Sequence, residues 1–443
     1  MRASRVIIAT VGLACGLWAA EVEAEKVVRT STSNASQQSE ESQEEDHSHE
    51  DLDEGTMTPH KAPPIEGLPE EEEGEGLREK LQREANRPYD NVVYRGAEVL
   101  RMDPEFVEGA RQGLELIYLR DYPAAMEHFG ALDKRWPETA VGPVGRGLIF
   151  QALMLENFDF KYEKQYQTNW AEARRRVTAA TEAPGNEGWD YFMLVGVIGV
   201  EAMHATRRYE YVDALGKAYE AKRALDQCRE AAPEFPDIVL ADGIYNYWRS
   251  VVALNTKLIP DGEDKRAEGI EQMKFVETNG IFVSAPTILA LTFTYLEERD
   301  LKRAMSSAVR GHLRYPKNVI NNLLLARIYL YMHRVAEAEQ TLNQVLVDAP
   351  DNERAHYYLA LVFSRTKRMD QAIAEMKKYL AYPLIDEYRA TSLYRLGGFY
   401  YRKHAYAEAI ASYEAAYAVN NHRGAKRRIE SMKKARKDGR INF

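Results

Sequence analysis

The stretch Val319–Pro350, which reads VINNLLLARIYLYMHRVAEAEQTLNQVLVDAP, decides the fold of the chain. Its apolar side chains recur at intervals of three and four, as at Leu325 and Ile328, and this spacing predicts helix rather than the alternation of a strand. The small Ala326 and Ala338 stand twelve residues apart and allow two helix backbones to approach closely. The closing proline lacks an amide donor and ends the second helix. The stretch therefore predicts one pair of short, closely packed helices.

The same pattern recurs along much of the chain. Units start at 285, 319, 353 and 390, so that successive starts are 34, 34 and 37 residues apart, and an earlier copy begins at Phe106. The small residue of each first helix stands at Gly113, Gly147, Gly196, Gly243, Thr292, Ala326, Ala360 and Gly397. Three successive intervals in the middle of this series, of 49, 47 and 49 residues, predict enlarged hairpins with longer helices. We expect connectors over Phe158–Asn169 and Asn255–Lys265.

These offsets resemble the tetratricopeptide repeat, most clearly over 285–421 and again over 106–139. The resemblance implies an all-α fold, a solenoid of stacked helical hairpins with about eight helix pairs. A central run, Gly243–Tyr247 followed by Gly262–Ile270, also resembles the inclusion-body-clearance family of tetratricopeptide proteins. No function is carried over from that second resemblance.

The tetratricopeptide resemblance implies a concave wall lined by the first helix of each pair. Aromatic and guanidinium side chains alternate at the wall positions of the last four units, among leucines such as Leu323 and Leu330. We predict that a partner binds to Phe293, Arg327, Tyr331, Arg354, Tyr357, Arg365, Tyr394, Tyr401 and Arg402. Tyrosine offers a broad, rigid surface and arginine a planar donor fork, which suits an extended, partly acidic peptide or protein segment. The alternative is that several of these side chains simply pack against neighbouring helices.

The first residues of the chain are typical of an export signal. Arg2 and Arg5 precede the apolar run Val6–Ala20, whose fifteen residues fall short of the roughly twenty that a helix needs to cross a bilayer. We predict a signal peptide over 1–24, cleaved after Ala24, and an exported protein of the periplasm or cell envelope. In the rival interpretation Cys15 becomes a lipidated first residue, and only then would the protein associate with a membrane.

Charge is distributed unevenly. Residues 26–87 contain 17 acidic and 7 basic residues, whereas the whole chain has a net charge of -9. A segment with so many acidic and so few apolar residues buries too little apolar surface to offset the entropy lost on ordering, so we predict a disordered tail over 25–88. We also predict that this tail covers the wall until a partner displaces it. Residues 423–440 contain nine basic and two acidic residues, which predicts a basic capping helix or tail over 422–443. A patch for anionic lipid or polymer is the alternative there.

The sequence carries no convincing catalytic signature. It has no phosphate-binding loop, nucleophile elbow or histidine pair with zinc-ligand spacing, so we predict a non-enzyme with no cofactor and no metal. The alternative function is an enzyme or enzyme subunit with a small-molecule or glycan pocket in the enlarged units. That pocket would be walled by Trp170, Trp189, Tyr191, Phe192, Tyr245, Tyr247 and Trp248. Nucleic acid is not an expected partner, because the chain is predicted to be exported and its folded part is nearly neutral.

The predicted organisation follows from these observations. After the signal peptide and tail come an N-terminal helix with the first repeat (89–139), the enlarged hairpins (140–284), four regular repeats (285–421) and the basic C-terminal segment. The predicted function is a scaffold or adaptor that binds a protein or peptide partner in its groove, with an envelope assembly, secretion or motility complex as candidate settings. The identity of the partner and the oligomeric state are left open.

Overall fold

The structure is a computed structural model, and it describes residues 90–183, 185, 187–208, 210–255 and 263–443. The predicted signal peptide, Cys15 and the predicted acidic tail lie outside these residues. Within the described ranges the secondary structure consists of eighteen α-helices and no strand. The predicted all-α class is confirmed.

The helices follow one another with short turns between most of them. Their bounds are α1 Asp90–Leu100, α2 Pro104–Tyr118, α3 Tyr122–Arg135, α4 Val141–Asn157, α5 Glu163–Glu182, α6 Glu187–Arg207, α7 Tyr211–Ala231, α8 Ile238–Asn255, α9 Arg266–Asn279, α10 Ser284–Glu297, α11 Leu301–Arg314, α12 Val319–Tyr331, α13 Val335–Asp348, α14 Glu353–Arg365, α15 Met369–Leu380, α16 Asp386–Arg402, α17 Tyr406–Asn420 and α18 Arg423–Lys437. Helices α2 to α17 form eight successive pairs, as predicted from the repeat.

The small residue of the first helix admits a ring from the second helix in several pairs. A Cβ atom at Gly113 would lie 2.4 Å from the Phe129 ring, and one at Gly397 would lie 2.7 Å from the Tyr413 ring. Only glycine leaves room for these rings, so the contact between the two helices of each pair is the one predicted. Gly196 differs, because a Cβ atom there would meet nothing within 4 Å.

The central hairpins contain longer helices, as predicted, although the last of these helices, α9, has only 14 residues. Helices α6 and α7 each have 21 residues, whereas α12 has 13 and α13 has 14. The predicted connector Phe158–Asn169 is wrong in its second half, because α5 already begins at Glu163. Part of the second predicted connector, residues 256–262, lies outside the described residues.

The turn within a pair repeats one backbone conformation. The residues with positive φ in these turns are Arg120, Phe158, Arg299, His333, Lys367 and His404, with φ between 57° and 64°. This left-handed conformation costs a non-glycine residue about 1 kcal/mol. The packing of the two helices that the turn joins offsets this cost.

The chain divides into two compact units. Unit 1 contains the described residues up to Leu153 together with Tyr162–Asn318, and unit 2 contains Met154–Lys161 together with Val319–Phe443. None of the helices in the described ranges combines the length and the apolar composition needed to cross a membrane.

Aromatic packing and a buried carboxylate organise unit 1. The Phe106 ring meets those of Trp136 and Trp189 edge to face, with centroids 5.2 and 4.9 Å apart. The Asp237 carboxylate, 2% exposed, accepts hydrogen bonds from the amides of residues 281, 282 and 283 at 2.7 to 2.8 Å. These bonds satisfy the amide donors of the segment that leads into α10.

Unit 2 ends in a helix that covers the preceding pair. Ala425, Ile429 and Met432 of α18 belong to the same buried apolar cluster as Tyr413 and Ala416 of α17. Most of the basic side chains of α18 lie on its exposed face. The helix therefore closes the apolar side of the last pair and presents positive charge to solvent.

Candidate partner-binding wall

The wall of unit 2 consists of the first helices α12, α14 and α16, which carry eight of the nine predicted binding residues. The ninth, Phe293, lies in α10 of unit 1 and is buried, with 9% of its surface exposed. The side chains near the starts of the wall helices and those near their ends have different environments.

Arg354 lies in the first turn of α14 and is almost fully buried, at 4% exposed. Its guanidinium carbon lies 5.0 Å from the ring centroid of Phe158, 5.1 Å from that of Tyr388 and 5.5 Å from that of Tyr357. It also donates a hydrogen bond of 3.2 Å to the hydroxyl oxygen of Tyr379. Aromatic faces stabilise a desolvated guanidinium group. Arg354 is therefore held in an aromatic cage, and one side of that cage comes from a distant part of the sequence.

Asn352 binds the same distant stretch through its amide. Its Oδ1 accepts a hydrogen bond of 2.9 Å from the amide of Ala355 and so caps α14. Its Nδ2 donates to the carbonyl oxygen of Glu156 at 2.9 Å and to Oδ1 of Asn157 at 3.1 Å. Asn352 is 1% exposed, so these bonds are shielded from water. We name Met154–Lys161 the turn segment.

The turn segment thus lies on the N-terminal part of the wall. The Phe158 ring, besides contacting Arg354, meets the Tyr388 ring edge to face with centroids 5.9 Å apart. We name Asn352, Arg354, Tyr357 and Tyr388 the covered end of the wall. Two of the predicted binding residues, Arg354 and Tyr357, belong to it, and the chain itself occupies the position that a partner would take.

A carboxyl group with an altered pKa lies beside this contact. Burial, and after it the charge of Asp159 in the turn segment, raises the pKa of Glu353 to about 7, against the lowering effects of Arg354 and Lys161. Glu353 is 7% exposed. An ionised Glu353 is therefore unfavourable while the turn segment is in place.

The C-terminal ends of the wall helices remain accessible. Arg402 donates a hydrogen bond of 2.7 Å to Oγ of Ser364, and a guanidinium nitrogen of Arg365 lies 3.1 Å from Nδ1 of His333. Tyr401 is 39% exposed. These contacts connect the ends of α12, α14 and α16 into one row, which we name the open end of the wall. It consists of Tyr331, Arg365, Tyr401 and Arg402.

The remaining predicted residues support the row or lie elsewhere. Arg327 is 5% exposed and donates a hydrogen bond of 3.0 Å to the hydroxyl of Tyr331, which it positions. Tyr394 packs in the seam with α17 and α18, where its ring lies 5.5 Å from that of Tyr413 and stacks on His422 at 4.8 Å. The nine predicted residues thus do not form one continuous surface. Four of them make up the open end.

The aromatic residues of the alternative pocket lie mainly in the core of unit 1. Trp170, Trp189, Tyr247 and Trp248 are between 0% and 5% exposed. The Trp170 ring fills the space beside Gly147, and the Tyr247 hydroxyl donates a hydrogen bond of 2.8 Å to Glu298. Among the described residues, no group of three or more His, Cys, Asp or Glu side chains has the arrangement of a metal site. Cys228 is buried, and burial raises the pKa of its thiol to about 12.

Helical pairs with small residues in their seams and a wall along their first helices define a helical-repeat scaffold. Residues 323–384 match a family model described as tetratricopeptide repeat, which assigns these residues to that family. Repeats of this kind typically form non-catalytic scaffolds that bind proteins. The sequence resemblance drawn from the repeat offsets is confirmed.

Several solved structures are similar to this chain. A tetratricopeptide repeat protein from Parabacteroides merdae is 13% identical, with 64% of this chain and 98% of that chain covered and a TM-score of 0.38. The anaphase-promoting complex hetero-tetramer Cut9-Hcn1 is 14% identical, with 72% and 75% covered and a TM-score of 0.37. MamA from Desulfovibrio magneticus is 15% identical, with 51% and 94% covered and a TM-score of 0.27. No curated protein sequence matches this chain.

Proposed function

We propose that this protein is an exported helical-repeat scaffold that holds a protein or peptide partner at the open end of its wall. The observation that supports this proposal best is the row formed by Tyr331, Arg365, Tyr401 and Arg402. The hydrogen bonds to His333 and Ser364 orient the two guanidinium groups before a partner arrives. Preorganised aromatic and guanidinium groups are the side chains most often found at the energetic centres of protein interfaces.

The chemistry of the row favours an extended segment that combines aromatic and acidic side chains. The exposed Tyr401 ring offers a flat apolar surface, and Arg365 and Arg402 on neighbouring helices offer planar donors for carboxylates. We propose that the partner belongs to a cell-envelope assembly, secretion or motility complex, and that the protein acts there without a cofactor. The basis for the location is the N-terminal sequence.

The location can be tested by the mass of the mature protein. Cleavage after Ala24 gives a chain that begins at Glu25, whereas lipidation gives a chain that begins at an acylated Cys15. A chain that retains all 443 residues in the cytoplasm would contradict the proposed export.

The binding surface can be tested by crosslinking capture with the mature protein, followed by affinity measurements with the captured partner. We expect Tyr401→Ala and Arg402→Glu each to weaken binding by tenfold or more, because both remove groups at the centre of the row. Tyr417→Ala is the matched control, since Tyr417 is similarly exposed, at 37%, but lies on α17 away from the row. Equal affinities for the Tyr401 and Tyr417 variants, with unchanged helical content, would contradict the proposed surface.

A further inference from the structure

The covered end of the wall has the contacts of a peptide-binding site, and the chain itself supplies the peptide. On the wall, the Asn352 carboxamide donates a hydrogen bond to a backbone carbonyl oxygen, and the Arg354 guanidinium stacks on an aromatic ring. The turn segment contributes the carbonyl oxygen of Glu156, the side chain of Asn157 and the ring of Phe158. The same division between backbone pairing and side-chain recognition is common in the binding of short peptides.

One feature of the turn segment distinguishes it from an ordinary piece of core. Phe158 and Asp159 are only partly buried, although Asn352 and Arg354 are almost fully buried with the segment in place. Met154 and Glu156 at the start of the segment are buried, so Phe158 and Asp159 form its solvent-facing part.

Charge also opposes a permanent contact. Asp159 lies close enough to Glu353 to raise its pKa, so the contact brings two carboxyl groups together. Arg354 and Lys161 compensate for part of this repulsion. A contact with strong specific partners and an opposing electrostatic cost is suited to opening and closing.

We propose that the covered end is a second peptide-binding site, held closed by the turn segment and opened to a partner that presents the same chemistry. That chemistry is an aromatic residue directly after an asparagine or a similar carboxamide, with an acidic residue following, as in the run Asn157-Phe158-Asp159. The partner competes with the turn segment for Asn352 and Arg354. This site uses none of the four open-end residues, so the proposal stands or fails separately from the proposed function.

The proposal can be tested with a fluorescein-labelled peptide that has the sequence of residues 155–162, titrated into the mature protein and followed by fluorescence anisotropy. We expect weak binding to the wild type, and binding at least tenfold tighter to Phe158→Ala, because that variant vacates the ring position while Asn352 and Arg354 remain. The double variant Phe158→Ala, Arg354→Ala should lose this gain. Phe275→Ala, which removes an exposed ring from α9 in unit 1, should bind like the wild type. A peptide with alanine in place of the phenylalanine that corresponds to Phe158 should bind to none of them.

A second measurement keeps the proposal open to refutation if Phe158→Ala does not fold. Hydrogen exchange of the wild-type protein, with and without excess peptide, reports directly on amides 158–161. Faster exchange of these amides in the presence of the peptide supports competition. Unchanged exchange, or a folded Phe158→Ala variant with no gain in affinity, would mean that the contact is a fixed part of the fold and would overturn the proposal.

Discussion

The covered end and the open end of the wall both combine arginine and tyrosine side chains on α14 and α16, yet these side chains have opposite environments. At the starts of α14 and α16, Arg354 and Tyr388 are enclosed by the turn segment. At the ends of these helices, Arg365, Tyr401 and Arg402 remain accessible. A wall position in a helical repeat therefore defines the direction of a side chain and not its exposure. What covers the position decides whether it stabilises the fold or binds a partner.

The largest expected difference between the two ends concerns stability. Arg354→Ala removes a buried cation from its aromatic cage and leaves the Tyr379 hydroxyl without the hydrogen bond that it accepts. We expect the free energy of unfolding to fall by about 2–4 kcal/mol. Arg402→Ala, at the exposed end of α16, should change it by less than about 0.5 kcal/mol. Urea unfolding followed by far-ultraviolet circular dichroism measures both, and equal losses would contradict the distinction between the two ends.

Two turns with the same backbone geometry allow a finer comparison. Phe158 and Lys367 have φ of 62° and 60°, and glycine relieves the strain at either position. Lys367→Gly should stay within about 0.5 kcal/mol of the wild type, because relief of strain and added unfolded-state entropy roughly cancel. Phe158→Gly should lower the free energy of unfolding by about 2 kcal/mol, since the ring contacts to Arg354 and Tyr388 are lost. If thermal unfolding showed the same small change for both variants, the turn segment would contribute little to the covered end.

Most of the architecture was predictable, because the signals that determine it are local. The offsets around Ala326 and Ala338 predict a helix pair from neighbouring residues, and the seams at Gly113 and Gly397 follow the same steric requirement. The boundary of α5 was missed because the lengthened hairpins no longer follow the period of the regular repeats. The repeat offsets also predict a close helix contact at Gly196, but a Cβ atom there would meet nothing within 4 Å.

The division of the wall was not predictable, for a physical reason. The repeat offsets placed Arg354 and Tyr401 on wall helices, but the contact that covers Arg354 joins residues 196 positions apart in the sequence. A contact between residues so far apart in the sequence produces no periodic pattern of residue types. A partial signal existed at Asn352, since an asparagine before Glu353 is typical of a helix N-cap and thus of a buried, hydrogen-bonded amide. Tyr388 and His333 offered no such signal.

The covered end should open as the pH rises. With the turn segment in place the pKa of Glu353 is raised from its ordinary value of 4.5 to about 7 by burial and by Asp159, so the closed state binds the proton more tightly than the open state. The contact is therefore strongest below about pH 4.5, weakens between 4.5 and 7, and changes little above 7.

Opening of the turn segment should accordingly increase by about tenfold between pH 5 and pH 7.5, as measured by hydrogen exchange of amides 158–161 with each rate divided by the intrinsic exchange rate at that pH. Glu353→Gln replaces the ionisable group by a neutral one of the same size and should flatten the profile. Glu337→Gln, which changes a partly exposed residue at the start of α13, serves as the control and should leave the profile unchanged. A profile that persists in the Glu353 variant would assign the pH dependence to another group.

The smallest expected effect concerns the acidic segment and the open end. Residues 26–87 carry ten more acidic than basic residues, and the partner proposed for Arg365 and Arg402 is itself partly acidic. If the segment competes for these guanidinium groups, a chain without residues 26–88 should bind a labelled peptide of alternating glutamate and tyrosine about threefold more tightly at low salt. The gain should disappear at about 0.5 M salt, where exposed charges are screened within a few ångströms, and in the Arg402→Glu variant.

The covered end provides the internal control, because affinity for peptide 155–162 in the Phe158→Ala background should respond less to the deletion than affinity at the open end. Equal affinities with and without the segment at low salt would show that the open end is not screened by it.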